Sequence, residues 1–255
     1  MTVKKLISLA LFWVCLFSSS AWPTDFRIYS AAGVKLPMMQ FAAAFNSLNT
    51  GDRVVNSFDT AGAAERLFFE DSNSACLITT ESRIHEALKT GRLKASAPVA
   101  LADTVAGIAT SSRVKQAIDT SEQLRAVLLD ARSIAFSDPA RGATVGRYFQ
   151  SLIQQLGIEK EVMAKAILAS DGVETMKLVK LKKVELGITQ VSEIIQAWPE
   201  SLLGPFPRNI ELATRYSLWC KDPDQAQLAP LIALMQSAWG SRVFTDNGLR
   251  PVGKP

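Results

Sequence analysis

Apolar positions along this chain alternate between two periods. Residues 26–31 read as a strand, and a run of small residues carries the chain directly into a helix at 34–46. The same alternation continues with a strand at 53–58, a helix at 62–70, a strand at 75–79 and a helix at 82–89. The stretch APVALADTVAGIATS, residues 97–111, has strand character without a partner helix and is expected to carry the chain out of the first lobe. Thr120 and Gln123 match a capping box that opens a helix at 121–130, followed by a strand at 133–137. After the turn at 138–143, Val145, Tyr148, Phe149, Leu152, Ile153 and Leu156 recur at helical spacing until Gly157 ends the helix. A strand at 165–168 leads to a cap at Asp171 and Glu174, then to a strand at 185–189. Two more apolar runs, LLGPF and ELATRYSLWC, should return the chain to the first lobe. Asp222 and Pro223 then start a helix of about 16 residues that ends at Trp239 and Gly240. Strands alternating with helices imply largely parallel sheets with helices on their faces. The fold class expected is α/β, in two lobes whose helix N-termini face a common cleft.

The N-terminus stands apart from this pattern. Lys4 and Lys5 precede an apolar run at 6–17, and Ser19, Ser20 and Ala21 fit a small-residue cleavage site, so residues 1–21 read as a signal peptide cleaved after Ala21. The apolar run is shorter than the roughly 20 residues of a spanning helix. Phe12, Trp13 and Val14 before Cys15 are too bulky for lipoprotein processing. The expected location is the periplasm. The remaining chain is assigned to a first lobe, 22–100 with 213–255, and a second lobe, 101–212.

Charge and cysteine content narrow the chemistry. Loss of Lys4 and Lys5 takes the net charge from +4 to about +2, with both signs interspersed and no concentrated basic face of the kind nucleic-acid binding needs. The run KLVKLKK, residues 177–183, reads as the solvated end of a helix. Cys76 and Cys220 either pair or remain two buried thiols, and the sequence leaves both open. No metal-ligand spacing is present, no cofactor is implied, and His85, the only histidine, reads as a surface residue. Neither a GxSxG turn nor a histidine partner for a nucleophile exists.

Three helix starts follow strands through small or hydroxylated residues: Ser30 to Gly33, Thr60 to Gly62, and Arg141 to Thr144. Unpaired N–H groups and the positive dipole end at such starts favour an anion, and small side chains let it approach the backbone. The segments IYSAAGVKLPMMQFAAAFN, SFDTAGAAERLFFEDSNSACLITTE, SDPARGATVGRYFQSLIQQLGI, ELGITQVSEI and FTDNGLRPV, in this order, resemble the molybdate-binding-protein-like group of periplasmic solute-binding proteins. The resemblance covers essentially the whole chain after residue 21. It implies a two-lobed type II periplasmic binding protein fold, a ligand cleft between the lobes, and delivery of a small anion to an ABC permease of the inner membrane by a monomeric protein. Carried onto this chain, the contacts are Ser30, Gly33, Thr60, Gly62, Arg141, Thr144 and Gln190. Gly33 and Ala61 stand where molybdate binders of the group have serines, and the turn before the helix at 145 is about one residue longer. Arg141 offers a bidentate partner for a carboxylate.

The group also includes periplasmic aconitate isomerases, so isomerisation of a small tricarboxylate in the same cleft is the alternative. Its base would have to be a carboxylate such as Asp59 or Glu193, a lysine or a tyrosine. Asp59 reads instead as a capping residue for the helix at 62. No catalytic residue is assigned, and the sequence favours a binding protein over an enzyme.

Overall fold

The computed structural model describes residues 24–48, 51–94, 96–112 and 116–252. The expected signal segment, residues 1–21, lies outside the described residues. The first part of the chain lays down β1 (Asp25–Ala31), α1 (Lys35–Asn46), β2 (Arg53–Asp59), α2 (Ala61–Glu70), β3 (Ser74–Thr80) and α3 (Glu81–Lys89). The strands β2-β1-β3 run parallel, which forces each helix to cross back over a face of the sheet. β3 is buried at all seven positions, as a central strand covered on both faces must be. His85 is exposed on α3.

β4 (Val99–Thr110) carries the chain across. It pairs antiparallel with β9 (Ala213–Cys220) through Val105 and, from Ala106 to Thr110, with β7 (Leu186–Gln190). One strand thus serves two sheets. The second sheet adds β5 (Ile134–Ser137), β6 (Ala166–Ala169) and β8 (Leu202–Pro205), with β5 parallel to both β6 and β7. Its helices are α4 (Ser121–Asp130), α5 (Thr144–Gln155), α6 (Glu159–Met163), α7 (Gly172–Lys180) and α8 (Val191–Ala197). Each sheet has its own core, one around Phe26, Phe41 and Phe244 and the other around Phe136, Phe149 and Phe206.

Local signals act as read. Thr120 Oγ1 accepts from Gln123 N, and the Gln123 side chain returns to the Thr120 N–H. Gly157 takes the left-handed conformation that ends α5, with Ile158 N bonded to Ile153 O at 2.9 Å. Lys177, Lys180, Lys182 and Lys183 are all exposed around the end of α7.

Three readings need correction. The helix expected from Asp222 to Gly240 is three helices, α9 (Asp222–Gln227), α10 (Ala229–Met235) and α11 (Ala238–Asp246). Pro230 in the first turn of α10 has no N–H to continue the earlier helix, and Ser237 caps α11 by accepting from Gly240 N. Trp239 and Gly240 therefore start a helix rather than end one. The run LLGPF does not return to the first sheet: β8 pairs with Gly107, Ile108 and Ala109 of β4 inside the second, and β9 makes the return. α8 has no counterpart in the sequence reading, because its seven residues are too few to show a helical period. Finally, β10 (Arg250–Pro251) pairs with β4.

Among the described residues no helix is long and apolar enough to cross a membrane. Cys76 and Cys220 lie directly opposite each other on β3 and β9 and form a disulfide.

Candidate functional site

Helices that follow parallel strands all start at the same edge of a sheet, the edge where the strands end. Here the two sheets bring those edges face to face. A 3-10 turn (Ala32–Val34) leads from β1 into α1, Thr60 leads from β2 into α2, a 3-10 turn (Pro139–Arg141) precedes α5, and Asp171 caps α7. Between them lies a small cavity of about 30 Å³, partly open to solvent. Its walls at the helix starts are small residues: Ala31, Gly33, Ala61, Ala143 and Gly172. The first N–H groups of α2, α5 and α7 have no partner within their own helices. Among the described residues, no lysine or arginine lines the cavity.

The seven residues expected from the sequence divide into three groups. Gly33, Thr60, Thr144 and Gln190 line the cavity. The Thr144 hydroxyl is buried and has no protein partner, as does the Gln190 carbonyl oxygen, while Gln190 Nε2 donates to Thr214 Oγ1 at 3.0 Å. The Thr60 hydroxyl is already engaged, accepting from Ala63 N and donating to Arg141 O. Ser30 is fully buried, with an unpartnered hydroxyl, one residue before the wall at Ala31. Gly62 and Arg141 are not part of the lining. The Arg141 guanidinium turns to Asp59, at 3.2 Å to each carboxylate oxygen, and to Ser170 O at 2.8 Å. Asp59 is therefore the partner of an arginine across the cleft, and Thr60, not Asp59, caps α2.

Those contacts hold the two halves together. Thr60 Oγ1 meets Arg141 O at 2.6 Å, Gly62 N meets Gly142 O at 3.2 Å, and Arg83, itself paired with Glu65, reaches Gly142 O at 3.3 Å. On the other side, Gln196 of α8 accepts from Leu36 N at 3.0 Å and donates to Gly33 O at 2.9 Å. The approach needs glycine on both sides, since a Cβ on Gly62 would lie 2.8 Å from the Gly142 Cα.

Three wall residues carry no sequence signal as a group: Thr189, Glu193 and Tyr216. Glu193 is buried in the first turn of α8, where its Oε2 accepts from Thr189 Oγ1 and, at 3.3 Å, from Gln190 N. Burial pushes its carboxyl from an ordinary 4.5 up to about 7, with the charge of Asp171 adding and the two hydrogen bonds opposing. Tyr216, from β9, packs its hydroxyl against Gly33. Burial and the neighbouring Glu193 charge raise its pKa, so it keeps its proton and is a donor. In the sequence Glu193 stands out only as one candidate base for the isomerase alternative. Tyr216 arrives from a strand on the far side of the crossing.

The raised carboxyl has a consequence for stability. Below the ordinary 4.5 both folded and unfolded chains hold the proton. Between 4.5 and about 7 only the folded chain does, so folding stability falls through that window and levels off above it. The expected loss is about 3 kcal/mol. Urea unfolding at pH 5 and pH 8 should show it in the wild type and lose that component in Glu193→Gln; identical pH profiles for the two proteins would mean an ordinary carboxylate.

A family model for the bacterial extracellular solute-binding protein matches residues 26–250. No curated protein matches the sequence. Solved structures share the fold at low identity. The Azotobacter vinelandii periplasmic molybdate-binding protein aligns with a TM-score of 0.71 and 16% identity, over 88% of this chain and 98% of its own. A phosphate-bound substrate-binding protein of a putative phosphate ABC transporter, from Clostridium perfringens, gives 0.65 and 14%, over 90% and 100%. L-phospholactate-bound PEB3 gives 0.64 and 15%, over 89% and 99%; PEB3 comes from Campylobacter jejuni.

Proposed function

Since the chain belongs to the bacterial extracellular solute-binding family and has the periplasmic binding protein fold of its molybdate-binding-like members, we propose that it captures a small anion in the cavity between its two sheets and delivers it to an ABC permease. One observation carries this reading: the starts of α2, α5 and α7 converge on a cavity whose buried Thr144 hydroxyl has no protein partner. Converging N-termini supply positive potential without a cationic side chain, and neutral donors in a small site hold an oxyanion or carboxylate by hydrogen bonds. Molybdate, phosphate and a phosphorylated hydroxy acid, the ligands named for the relatives, are all of this class.

Of the residues expected as contacts, Gly33, Thr144, Gln190 and the backbone after Thr60 are assigned to the ligand, with Ser30 behind them. Arg141 and Gly62 are assigned to closure instead. Isomerisation would in addition require Glu193 to reach a C–H of the bound acid, and no observation favours it over capture.

A thermal-shift screen against molybdate, sulfate, phosphate and small di- and tricarboxylates tests the reading, because a ligand that binds only the folded state raises the melting temperature. At least one anion should raise it. Thr144→Val, which keeps the shape and removes one donor to a charged ligand, should weaken that anion about tenfold. No shift with any anion would sink the proposal, and an unchanged affinity in Thr144→Val would move the site elsewhere.

A further inference from the structure

A carboxyl group is an unexpected wall for an anion cavity. Glu193 is the only acidic residue in the lining, it is more than nine-tenths buried, and nothing basic faces it. Its Oε2 is held by Thr189 and Gln190 against the start of α7, close enough that a Cβ on Gly172 would collide with it. Oε1 has no protein partner among the described residues.

We propose that the cavity binds its anion together with one proton, shared between the Glu193 carboxyl and an oxygen of the ligand, so that capture is coupled to proton uptake. The inference rests on the anion-capture reading of the same cavity. It follows from the inventory of charge. Each helix start is equivalent to about half a positive charge, so the three supply roughly one and a half, most of what a dianion needs beside a neutral Glu193 and far short of what it needs beside an ionised one. A bare oxyanion has only acceptor oxygens and a carboxylate has only acceptors, so the two repel unless a proton lies between them.

No other group in reach supplies compensation. Among the elements packed against α8, β4 carries Asp103, which is paired with Arg215 and Arg250. α7 carries Glu174, paired with Lys177, and Lys180, whose Nζ donates to Ala197 O at the far end of α8; it is headed by Asp171, whose charge reinforces the proton on Glu193. The 3-10 turn after α8 carries Glu200, and the one before α1 is followed by Lys35, which lies over the Phe58 ring instead. β7 and β8 carry no ionisable side chain. From β9, Tyr216 shares the cavity as a neutral donor. Burial raises the Glu193 carboxyl to about 7, so the proton is exchangeable near neutral pH.

Titration calorimetry with molybdate and with phosphate, at pH 6, 7 and 8 in buffers of different ionisation enthalpy, counts the protons taken up on binding. At pH 8 complex formation with molybdate should take up close to one proton, whereas hydrogen phosphate, which brings a proton of its own, should bind with little uptake. With molybdate, which does not titrate in this range, affinity should fall about tenfold per pH unit above 7. In Glu193→Gln the uptake at pH 8 should drop by about one proton. The count in the wild type needs no variant, so a poorly folding substitution leaves the test intact. Molybdate binding without proton uptake overturns the proton-coupled site and leaves anion capture standing. Failure of both anions to bind at millimolar concentration removes the capture reading for oxyanions and this inference with it.

Discussion

Gly62→Val should abolish tight anion binding, with a loss of at least a hundredfold, while leaving the fold unaltered. Gly62 is the second residue of α2 with ordinary helical geometry, and within its own half a side chain there meets only the end of the flexible Arg83 side chain. The backbone conflict arises across the cleft. A Cβ at this position would stand 2.8 Å from Gly142 Cα, 3.0 Å from Gly142 O and 2.9 Å from Arg83 Nη2. Gly142 cannot retreat easily, because its φ of 75° holds the turn that aims the start of α5 at the cavity. The halves would then stop short of contact, the Thr60 to Arg141 and Gly62 to Gly142 hydrogen bonds would be lost, and donors from only one side would reach the ligand. A hundredfold loss corresponds to about 2.8 kcal/mol, modest for removing half of a two-sided site. Calorimetry with whichever anion the screen identifies reads the effect, and small-angle scattering should show that the variant no longer contracts on adding it. Wild-type affinity in Gly62→Val would mean that the contact is not part of the bound state.

The second large effect is on stability. Replacing Cys76 and Cys220 together by alanine should cost about 3–5 kcal/mol. The bridge joins residues 144 positions apart, so in the unfolded chain it closes most of the molecule into one loop. It also ties the central strand β3 to β9, the strand that returns from the second half and brings Tyr216 to the cavity four residues before the bridge. The melting temperature should fall by roughly 10 °C, at about 2–4 °C per kcal/mol for a chain of this size. The urea m-value should rise as the unfolded state expands. Reductant added to the wild type should reproduce the shift. An unchanged midpoint would show that the two thiols contribute only their packing. Anion affinity should also drop modestly, because β9 is then held by its ladder alone.

Much of the architecture was legible without coordinates. Most strands and helices from residue 26 to residue 190 follow from short-range periodicity, the five-residue α6 excepted; Thr60, Thr120 and Asp171 announce helix starts through side chains that bond nearby backbone, and Gly157 ends α5 through its left-handed conformation. The misread segments have local causes. The C-terminal run from 222 to 246 has helical character throughout, and only the geometry at Pro230 and the cap at Ser237 divide it. α8 is a helix of about two turns whose stability comes from packing on β4 and α7 rather than from its own pattern.

For the site, the sequence by itself determined where the chain turns from strand to helix through small residues, and hence that the helices after 31–33, 60–62 and 141–144 begin with N–H groups that have no partner in their own helix. These depend on interactions over a few residues, which spacing and turn chemistry encode directly. The tertiary structure alone decided what each neighbouring side chain does. Arg141 and Asp59, 82 positions apart, meet and satisfy each other instead of a ligand. Glu193 becomes a buried wall, and Tyr216 enters from β9. Those outcomes hang on the register of β4 against β7 and β9, set by long-range pairing between segments up to 119 residues apart, such as Val99 with Leu218. No local pattern fixes such a register, because it is the joint packing of both cores that selects it.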